Sequence, residues 1–275
     1  MAEAPGPETD RVAGLLELPG RADVADYTDV FGLQLWPYAS IYVGGEGKLG
    51  GEARDRVAGF WRALHLTPPA EPDHLAALLG LYASLAESEA AEQEPARLQL
   101  RRSSRQALLW EHLLSWLPTY LAKLDEIASP FYRAWAALLR EALMADARVA
   151  GPPAQLPLHL REASALPNPS EEGADAFLAG VVSPVRTGLV LVRDDLSRAA
   201  RDLGLGLRQG ERLYVLKALL GQEPGATLKW LANEAARWTG IHESMPEELE
   251  PVRGYWSERA RTSEQLISSL SPIVA

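Results

Sequence analysis

The sequence predicts an all-α protein, and three observations support this prediction. Apolar residues recur at helical spacing, helix-starting and helix-ending residues lie between the apolar stripes, and strand signals are scarce. The first stripe comprises Val57, Phe60, Trp61 and Leu64, which follow the i, i+3, i+4, i+7 pattern of a core-facing helix. Only the short runs 41–43 and 189–192 favour strands. We therefore expect a multi-helix bundle.

Three further stripes repeat this spacing and define the next helices. They comprise Leu75, Leu78, Leu79, Tyr82 and Leu85, then Leu109, Leu113, Trp116 and Leu117, and finally Phe131, Trp135, Leu138 and Leu139. Pro72-Asp73 and Ser129-Pro130 are predicted helix starts, because proline is tolerated in a first turn and a carboxylate favours the positive end of the helix dipole. Pro118 predicts a kink or break inside the third stripe.

The domain organisation follows from these stripes and from composition. We predict a disordered tail at residues 1–10, a helical core at 11–149, a linker or long loop at 150–173, and a C-terminal helical region at 174–275 packed on the core. The stretch 150–173 is rich in Pro, Ser, Ala and Glu and shows little periodicity.

Four helices are expected in the C-terminal region. The first is capped by Asp194 or Asp195 and ends at Gly204, and a short one follows Gly210. The third starts at Thr227 and ends at Gly240, and the last spans about 247–270.

Composition excludes several classes of function. The chain has 275 residues, 47% of them hydrophobic, and no cysteine, so disulfides, thiolate nucleophiles and cysteine-ligated metal sites are excluded. The first residues lack a basic region and an apolar core, and no run is long enough to span a membrane, which favours a cytoplasmic location. A net charge of −10 disfavours nucleic acid and suits a basic polypeptide partner.

Two local motifs suggest enzyme chemistry but lack its context. Residues 45–50, Gly-Glu-Gly-Lys-Leu-Gly, match the dinucleotide-binding pattern, yet Pro68-Pro69 follows where a second parallel strand should begin. Glu71 and His74 give one Glu-x-x-His, whereas a di-iron bundle needs two of them and two more carboxylates. We therefore predict no catalytic, cofactor-binding or metal-ligating residues. A nucleotide-dependent function of the glycine loop 44–51 is kept as an alternative.

A second alternative is a helical DNA-binding regulator that uses residues 197–216. Two short helices around Gly204-Leu205-Gly206 would form a helix-turn-helix, and Arg198, Arg201, Arg208 and Arg212 would form its basic face. The acidity of the whole chain argues against this hypothesis.

Residues 31–143 resemble the TorD/DmsD/NarJ family of cytoplasmic chaperones for molybdenum enzymes. An ordered set of motifs carries the resemblance: Pro37-Tyr38-Ala39-Ser40-Ile41-Tyr42, the helix 56–62, Glu71-Pro72-Asp73-His74-Leu75, His112-x-x-x-Trp116-x-Pro118, and Phe131-Tyr132. The family commonly has one more residue between the proline and the Asp-His pair, which are adjacent here.

The resemblance implies a fold, a function and a site. The fold is a single-domain helical bundle of the TorD type with an additional C-terminal helical region. The function is to bind the twin-arginine leader, the core, or both, of a molybdopterin oxidoreductase precursor, assisting cofactor insertion and delaying export. The protein would be a monomer or dimer with no stable membrane insertion. The peptide-binding residues would be Tyr38, Trp61, Glu71, Asp73, His74, Tyr82, His112, Trp116 and Pro118.

Overall fold

The computed structural model describes residues 4–270, and helices make up most of them. Within this range no strand is present, although Tyr38 and His74 form an isolated antiparallel bridge. The all-α fold class is therefore confirmed. No helix among the described residues is both long and apolar enough to cross a bilayer.

The described chain divides into two compact units. The first contains residues up to Ser40 and Leu49–Leu158, and the second contains Ile41–Lys48 and His159–Ala275 as far as the described residues extend. The sequence predicted a core followed by a C-terminal region. It did not predict that the short segment 41–48 is part of the second unit, because that grouping depends on contacts distant in sequence.

The first unit is built from eight helices and two π-helical segments. They are α1 (Pro7–Leu15), α2 (Val24–Tyr27), a π-helix (Thr28–Gln34), α3 (Ala39–Val43, which ends in the second unit), α4 (Gly51–Ala63), α5 (Leu75–Ala91), α6 (Pro95–Ala107), a π-helix (Leu108–Leu113), α7 (Leu117–Ile127) and α8 (Pro130–Ala150). The predicted tail at 1–10 is corrected at its end, because α1 begins at Pro7, with proline in its first turn. Residues 1–3 lie outside the described part.

The helix starts and breaks predicted for the first unit are largely correct. The helix is interrupted at 114–116, and α7 begins at Leu117 with Pro118 in its first turn. Helix α8 begins at Pro130, directly after Ser129. The side chains of Leu109, Leu113 and Trp116 are fully buried, as their stripe predicted. Leu138 is an exception, since it is 39% exposed.

The predicted linker at 150–173 is irregular over most of its length, with two short helices. They are α9 (Leu158–Glu162) and α10 (Pro169–Glu172). His159 and Leu160 of α9 are buried, and both belong to the second unit. The boundary between the units in this stretch therefore falls inside the predicted linker.

The second unit continues with six α-helices and a short 3₁₀ turn. They are α11 (Ala174–Val181), α12 (Pro184–Thr187), α13 (Arg193–Leu203), α14 (Arg212–Gln222), α15 (Pro224–Glu243), the 3₁₀ turn (Glu247–Leu249) and α16 (Glu250–Leu270). Trp238, His242 and Trp256 are fully buried between α15 and α16. Residues 189–192, a strand-like run in the sequence, are buried and irregular.

Capping in the second unit agrees with the prediction only in part. The N-cap of α13 is Val192, so Asp194 and Asp195, one of which was predicted to be the cap, both lie inside the helix. Asp195 lies three residues into α13, where its carboxylate accepts a hydrogen bond from the backbone N–H of Val192 at 2.9 Å. Gly204 ends α13 in the left-handed conformation. Thr227 was predicted to start α15 and Gly240 to end it, but this helix starts at Pro224 and continues to Glu243.

Candidate peptide-binding site

Two chain segments that are distant in sequence meet at Tyr38 and His74. The backbone N–H of Leu75 donates to the carbonyl of Pro37 at 2.8 Å, and the N–H of Ala39 donates to the carbonyl of Asp73 at 3.0 Å. The rings of Tyr38 and His74 pack edge to face with their centroids 4.8 Å apart. This pairing brings four of the predicted site residues together: Tyr38, Glu71, Asp73 and His74.

Asp73 is the buried member of this group. Its side chain is only 2% exposed, and its Oδ2 accepts a hydrogen bond from the backbone N–H of Ser40 at 3.1 Å. Ser40 lies in the first turn of α3, where backbone N–H groups lack partners within the helix. The carboxylate of Asp73 therefore stabilises the start of α3 from inside the protein.

His74 is the N-cap of α5. Its Nδ1 accepts a hydrogen bond from the backbone N–H of Ala76 at 3.2 Å, so that nitrogen carries no proton in this arrangement. The sequence placed the helix start at Pro72-Asp73. The structure starts α5 at Leu75 and gives the cap to His74, because Asp73 is already engaged by Ser40.

Tyr38 and Glu71 form a hydrogen-bonded pair within this group. Glu71 is exposed and Tyr38 is half-buried. Burial, followed by the hydrogen bond that the Tyr38 hydroxyl donates to the carboxylate of Glu71, raises the pKa of Tyr38 to about 12. Tyr38 therefore stays neutral, and Glu71 is the exposed acidic member of the pair.

His112, Trp116 and Pro118 belong to the core. His112 packs against Phe60 with ring centroids 4.8 Å apart, and burial, followed by the charge of Arg56, lowers the pKa of His112 to about 4. The indole N–H of Trp116 donates to the carbonyl of His112 at 2.8 Å. Trp116 is fully buried and Pro118 is buried in the first turn of α7. Since His112, Trp116 and Pro118 are all buried, core packing accounts for the His-x-x-x-Trp-x-Pro spacing.

Trp61 and Tyr82 make other contacts than those that join Tyr38, Glu71 and His74. Trp61 is half-buried, and its indole nitrogen is buried without a hydrogen-bond partner among the described residues. The hydroxyl of Tyr82 donates to Asp146 at 2.8 Å and accepts from Arg105 at 2.8 Å, within an ion-pair network that includes Glu89. Tyr82 thus links α5, α6 and α8.

An exposed face that the sequence reasoning missed lies on α2 and the π-helix after it. We define the α2 face by Asp26, Asp29, Leu33 and Trp36, all of which are exposed. Asp26 lies in α2, whereas Asp29 and Leu33 lie in the π-helix, so no single α-helical periodicity in the sequence marks these positions. Tyr27, which neighbours Asp26 in sequence, is close enough for its charge to influence the pKa of Tyr38.

The glycine loop has a structural role in the second unit. Its carbonyl groups accept three side-chain hydrogen bonds: Gly44 from Ser183 at 3.3 Å, Gly45 from Arg186 at 2.8 Å, and Gly47 from Arg212 at 3.3 Å. The preceding run 41–43 is helical, whereas a dinucleotide fold needs a strand there. The loop therefore lacks the strand–turn–helix context of a phosphate cradle.

The four arginines of the predicted helix-turn-helix do not share one role. Arg198 pairs with Asp195 at 3.0 Å and Glu234 at 2.8 Å, and its guanidinium lies 5.1 Å from the ring centre of Trp230. Arg212 donates to the carbonyl of Leu191 at 2.9 Å as well as to Gly47. Arg201 and Arg208 are exposed. Since two of the four arginines are used inside the unit, they do not supply the basic face that a regulator needs.

No group of three or more histidine, aspartate or glutamate side chains within residues 4–270 is arranged to hold a metal ion.

Comparison with known proteins gives one family match. The family described as nitrate reductase delta subunit matches residues 17–122. These residues include the Tyr38–His74 pairing, the α2 face and the His112–Trp116 element. No curated protein and no solved structure matches the chain. The family match confirms the resemblance inferred from the ordered motifs: over residues 17–122 the chain is similar to the NarJ/TorD-type chaperone family.

Proposed function

We propose that this protein is a cytoplasmic assembly chaperone, not an enzyme, which binds the precursor of a molybdopterin oxidoreductase subunit through its twin-arginine leader. Binding would delay export of the precursor while its cofactor is inserted. The observation that carries the proposal is the family match at 17–122 together with the surface group Tyr38, Glu71 and His74, which lies inside the matched region.

The charge of the site suits such a partner. A leader presents arginine side chains and an apolar stretch, and arginine forms strong charge-assisted hydrogen bonds with carboxylates. Glu71 is an exposed carboxylate beside two rings, those of Tyr38 and His74. The net charge of −10 adds a long-range attraction for a basic segment. Asp73 contributes indirectly, because it holds the backbone at Ser40, two residues from Tyr38.

The first experiment is capture of partners from the native cytoplasm with the tagged full-length protein, followed by mass spectrometry. We expect recovery of a molybdopterin oxidoreductase precursor with its leader intact. Recovery of DNA without such a precursor would contradict the proposal and favour the regulator alternative.

A direct binding measurement complements the capture. Glu71→Gln removes one charge at the surface and should weaken binding of the recovered leader peptide without changing the circular dichroism spectrum. Glu87→Gln, at an exposed position of α5, is the matched control and should bind as the unmodified protein does. Equal affinity of the Glu71→Gln variant would remove this residue from the site.

A further inference from the structure

Ser40 joins three segments of the first unit through two of its own atoms. It is fully buried, and its backbone N–H donates to Oδ2 of Asp73 at 3.1 Å. Its hydroxyl oxygen accepts a hydrogen bond from the backbone N–H of Gly50, also at 3.1 Å. These two bonds fix the start of α3 to the residues before α5 and to the residues before α4.

The bond between Ser40 and Gly50 lies where the chain leaves the first unit and returns to it. Residues 41–48 belong to the second unit, and the first unit resumes at Leu49. The chain then turns into α4 through Gly50 and Gly51, whose φ angles of 85° and 65° lie in the left-handed region that favours glycine. The hydroxyl of Ser40 therefore holds the returning chain against the residue at which it departed.

The backbone between Ser40 and the surface of the site is also held. The N–H of Ala39 donates to the carbonyl of Asp73 at 3.0 Å, so Asp73 binds two successive N–H groups, one through its carbonyl and one through its carboxylate. Tyr38 is the next residue, and its hydroxyl donates to the carboxylate of Glu71. A displacement of Ser40 would therefore move the ring of Tyr38 and, with it, the hydrogen-bond donor of Glu71.

We propose that Ser40 is a positioning residue of the peptide site, which acts through Tyr38 and Glu71. Its hydroxyl fixes the start of α3, so that the Tyr38 hydroxyl holds the carboxylate of Glu71 in the orientation that pairs with an arginine of the leader. Ser40 is buried and does not touch the leader itself. A side chain that is already ordered loses less conformational entropy on binding, so this positioning is expressed as affinity. The inference rests on the proposed function and names the residue on which the geometry of that site depends.

The test is a double-mutant cycle on the full-length protein, made from Ser40→Ala, Glu71→Gln and the variant that carries both. Fluorescence anisotropy measures the affinity for a fluorescein-labelled synthetic peptide of two adjacent arginines followed by leucines and alanines. We expect Ser40→Ala to weaken binding roughly fivefold in the unmodified protein and by less than about twofold in the Glu71→Gln background, because the orientation of a side chain matters little once its charge is removed. Additive effects would show that Ser40 affects binding by another route and would overturn the proposal.

Ser115→Ala is the matched control for loss of stability. Ser115 is also fully buried, and its hydroxyl donates to the carbonyl of Glu111 at 2.9 Å, one helical turn earlier. We expect this variant to bind the peptide as the unmodified protein does, with circular dichroism and Tm recorded for both serine variants. Equal weakening in the two variants would show a general effect of stability and would remove the role assigned to Ser40.

Amide hydrogen exchange provides a second measurement that needs no ligand. If Ser40 holds the backbone beside Tyr38, the amide of Ala39 should exchange at least about tenfold faster in Ser40→Ala than in the unmodified protein. Faster exchange confined to Gly50 would show a local role and contradict the proposal. Ser40→Cys, in which a weakly accepting sulfur replaces the oxygen, is used in both measurements if the alanine variant does not fold.

The outcomes distinguish this inference from the proposed function. If Glu71→Gln weakens binding and Ser40→Ala does not, Ser40 has no positioning role while the proposed function stands. If the unmodified protein binds a precursor from the cytoplasm but not the synthetic peptide, the same cycle is measured as the amount of precursor that each variant captures. If it binds neither, both the inference and the proposed function are overturned.

Discussion

The carboxylate of Asp73 accepts a hydrogen bond from the backbone N–H of Ser40, 33 residues away, at 3.1 Å. This contact fixes the start of α3 from a residue that the family resemblance places in the peptide site. It separates two roles inside one motif: Asp73 supports the backbone, whereas Glu71 carries the exposed charge.

Asp73→Ala should destabilise the protein. The substitution leaves the N–H of Ser40 without its buried acceptor, and we expect the free energy of unfolding to fall by about 2 kcal/mol. Urea denaturation followed by circular dichroism measures the change. Asp55→Ala, at an exposed position of α4, is the control and should change stability by less than about 0.5 kcal/mol. An unaltered unfolding midpoint for Asp73→Ala would contradict the structural role.

Gly47→Ala should destabilise the second unit far more than Gly45→Ala. Gly47 has a φ of 62°, and a Cβ there would lie 2.8 Å from the carbonyl oxygen of Val182 and 2.9 Å from the Cα of Ser183. At Gly45 the nearest atom would be the tip of Arg186 at 3.6 Å, an ordinary contact. We expect a loss of about 2 kcal/mol or more at Gly47, measured by thermal unfolding. Similar midpoints for the two variants would disprove the close approach.

Stability should fall on acidification below pH 6.5. Burial lowers the pKa of His242 to about 4, while its Nε2–H donates to the carbonyl of Gly188 at 2.7 Å. The unfolded chain binds a proton near pH 6.5 and the folded chain does so only near pH 4, so the unfolded state takes up more protons between these values. The stabilisation that comes from burying the neutral His242 is therefore complete above pH 6.5. As the pH falls towards 4 the free energy of unfolding decreases by up to about 3 kcal/mol.

His242→Gln tests this pH dependence. The variant should show a flatter dependence of unfolding free energy on pH between 4 and 6.5, in urea titrations at several pH values. His65→Gln, at an exposed position, should retain the dependence of the unmodified protein. His112, whose pKa is also lowered to about 4, should contribute a second part of the same slope. Parallel pH profiles for His242→Gln and the unmodified protein would refute the assignment.

Arg198→Gln should lower stability, whereas Arg201→Gln should not. The first substitution leaves the buried carboxylate of Glu234 with Arg237 as its remaining ion-pair partner and removes the guanidinium from Trp230. Arg201 is exposed. Thermal unfolding of both variants gives the comparison. A DNA complex that both substitutions weaken equally, with no change in Tm, would revive the regulator alternative.

Local signals in the sequence predicted much of the fold. Pro118 and Pro130 mark helix starts because proline fixes φ and lacks an N–H, and both effects act on the residue itself. Thr227 was wrongly taken as a helix start, since Pro224 three residues earlier begins the helix instead. The π-helices at 28–34 and 108–113 carry no local signature that the apolar pattern could reveal.

The candidate site was less predictable, because its members are joined by contacts distant in sequence. The motif Glu71-Pro72-Asp73-His74 was identified, but burial of Asp73 depends on Ser40, and the cap at His74 depends on the same pairing. His112 and Trp116 were predicted at the peptide and lie in the core, since an aromatic at helical spacing fits either role.

The membership of residues 41–48 in the second unit has a consequence for how the protein is made. During synthesis this segment leaves the ribosome long before Ser183, Arg186 and Arg212, the side chains that bind its carbonyl groups. The second unit therefore cannot fold completely until most of the chain has been synthesised. A gene fragment that starts after the first unit would encode a second unit that lacks residues 41–48.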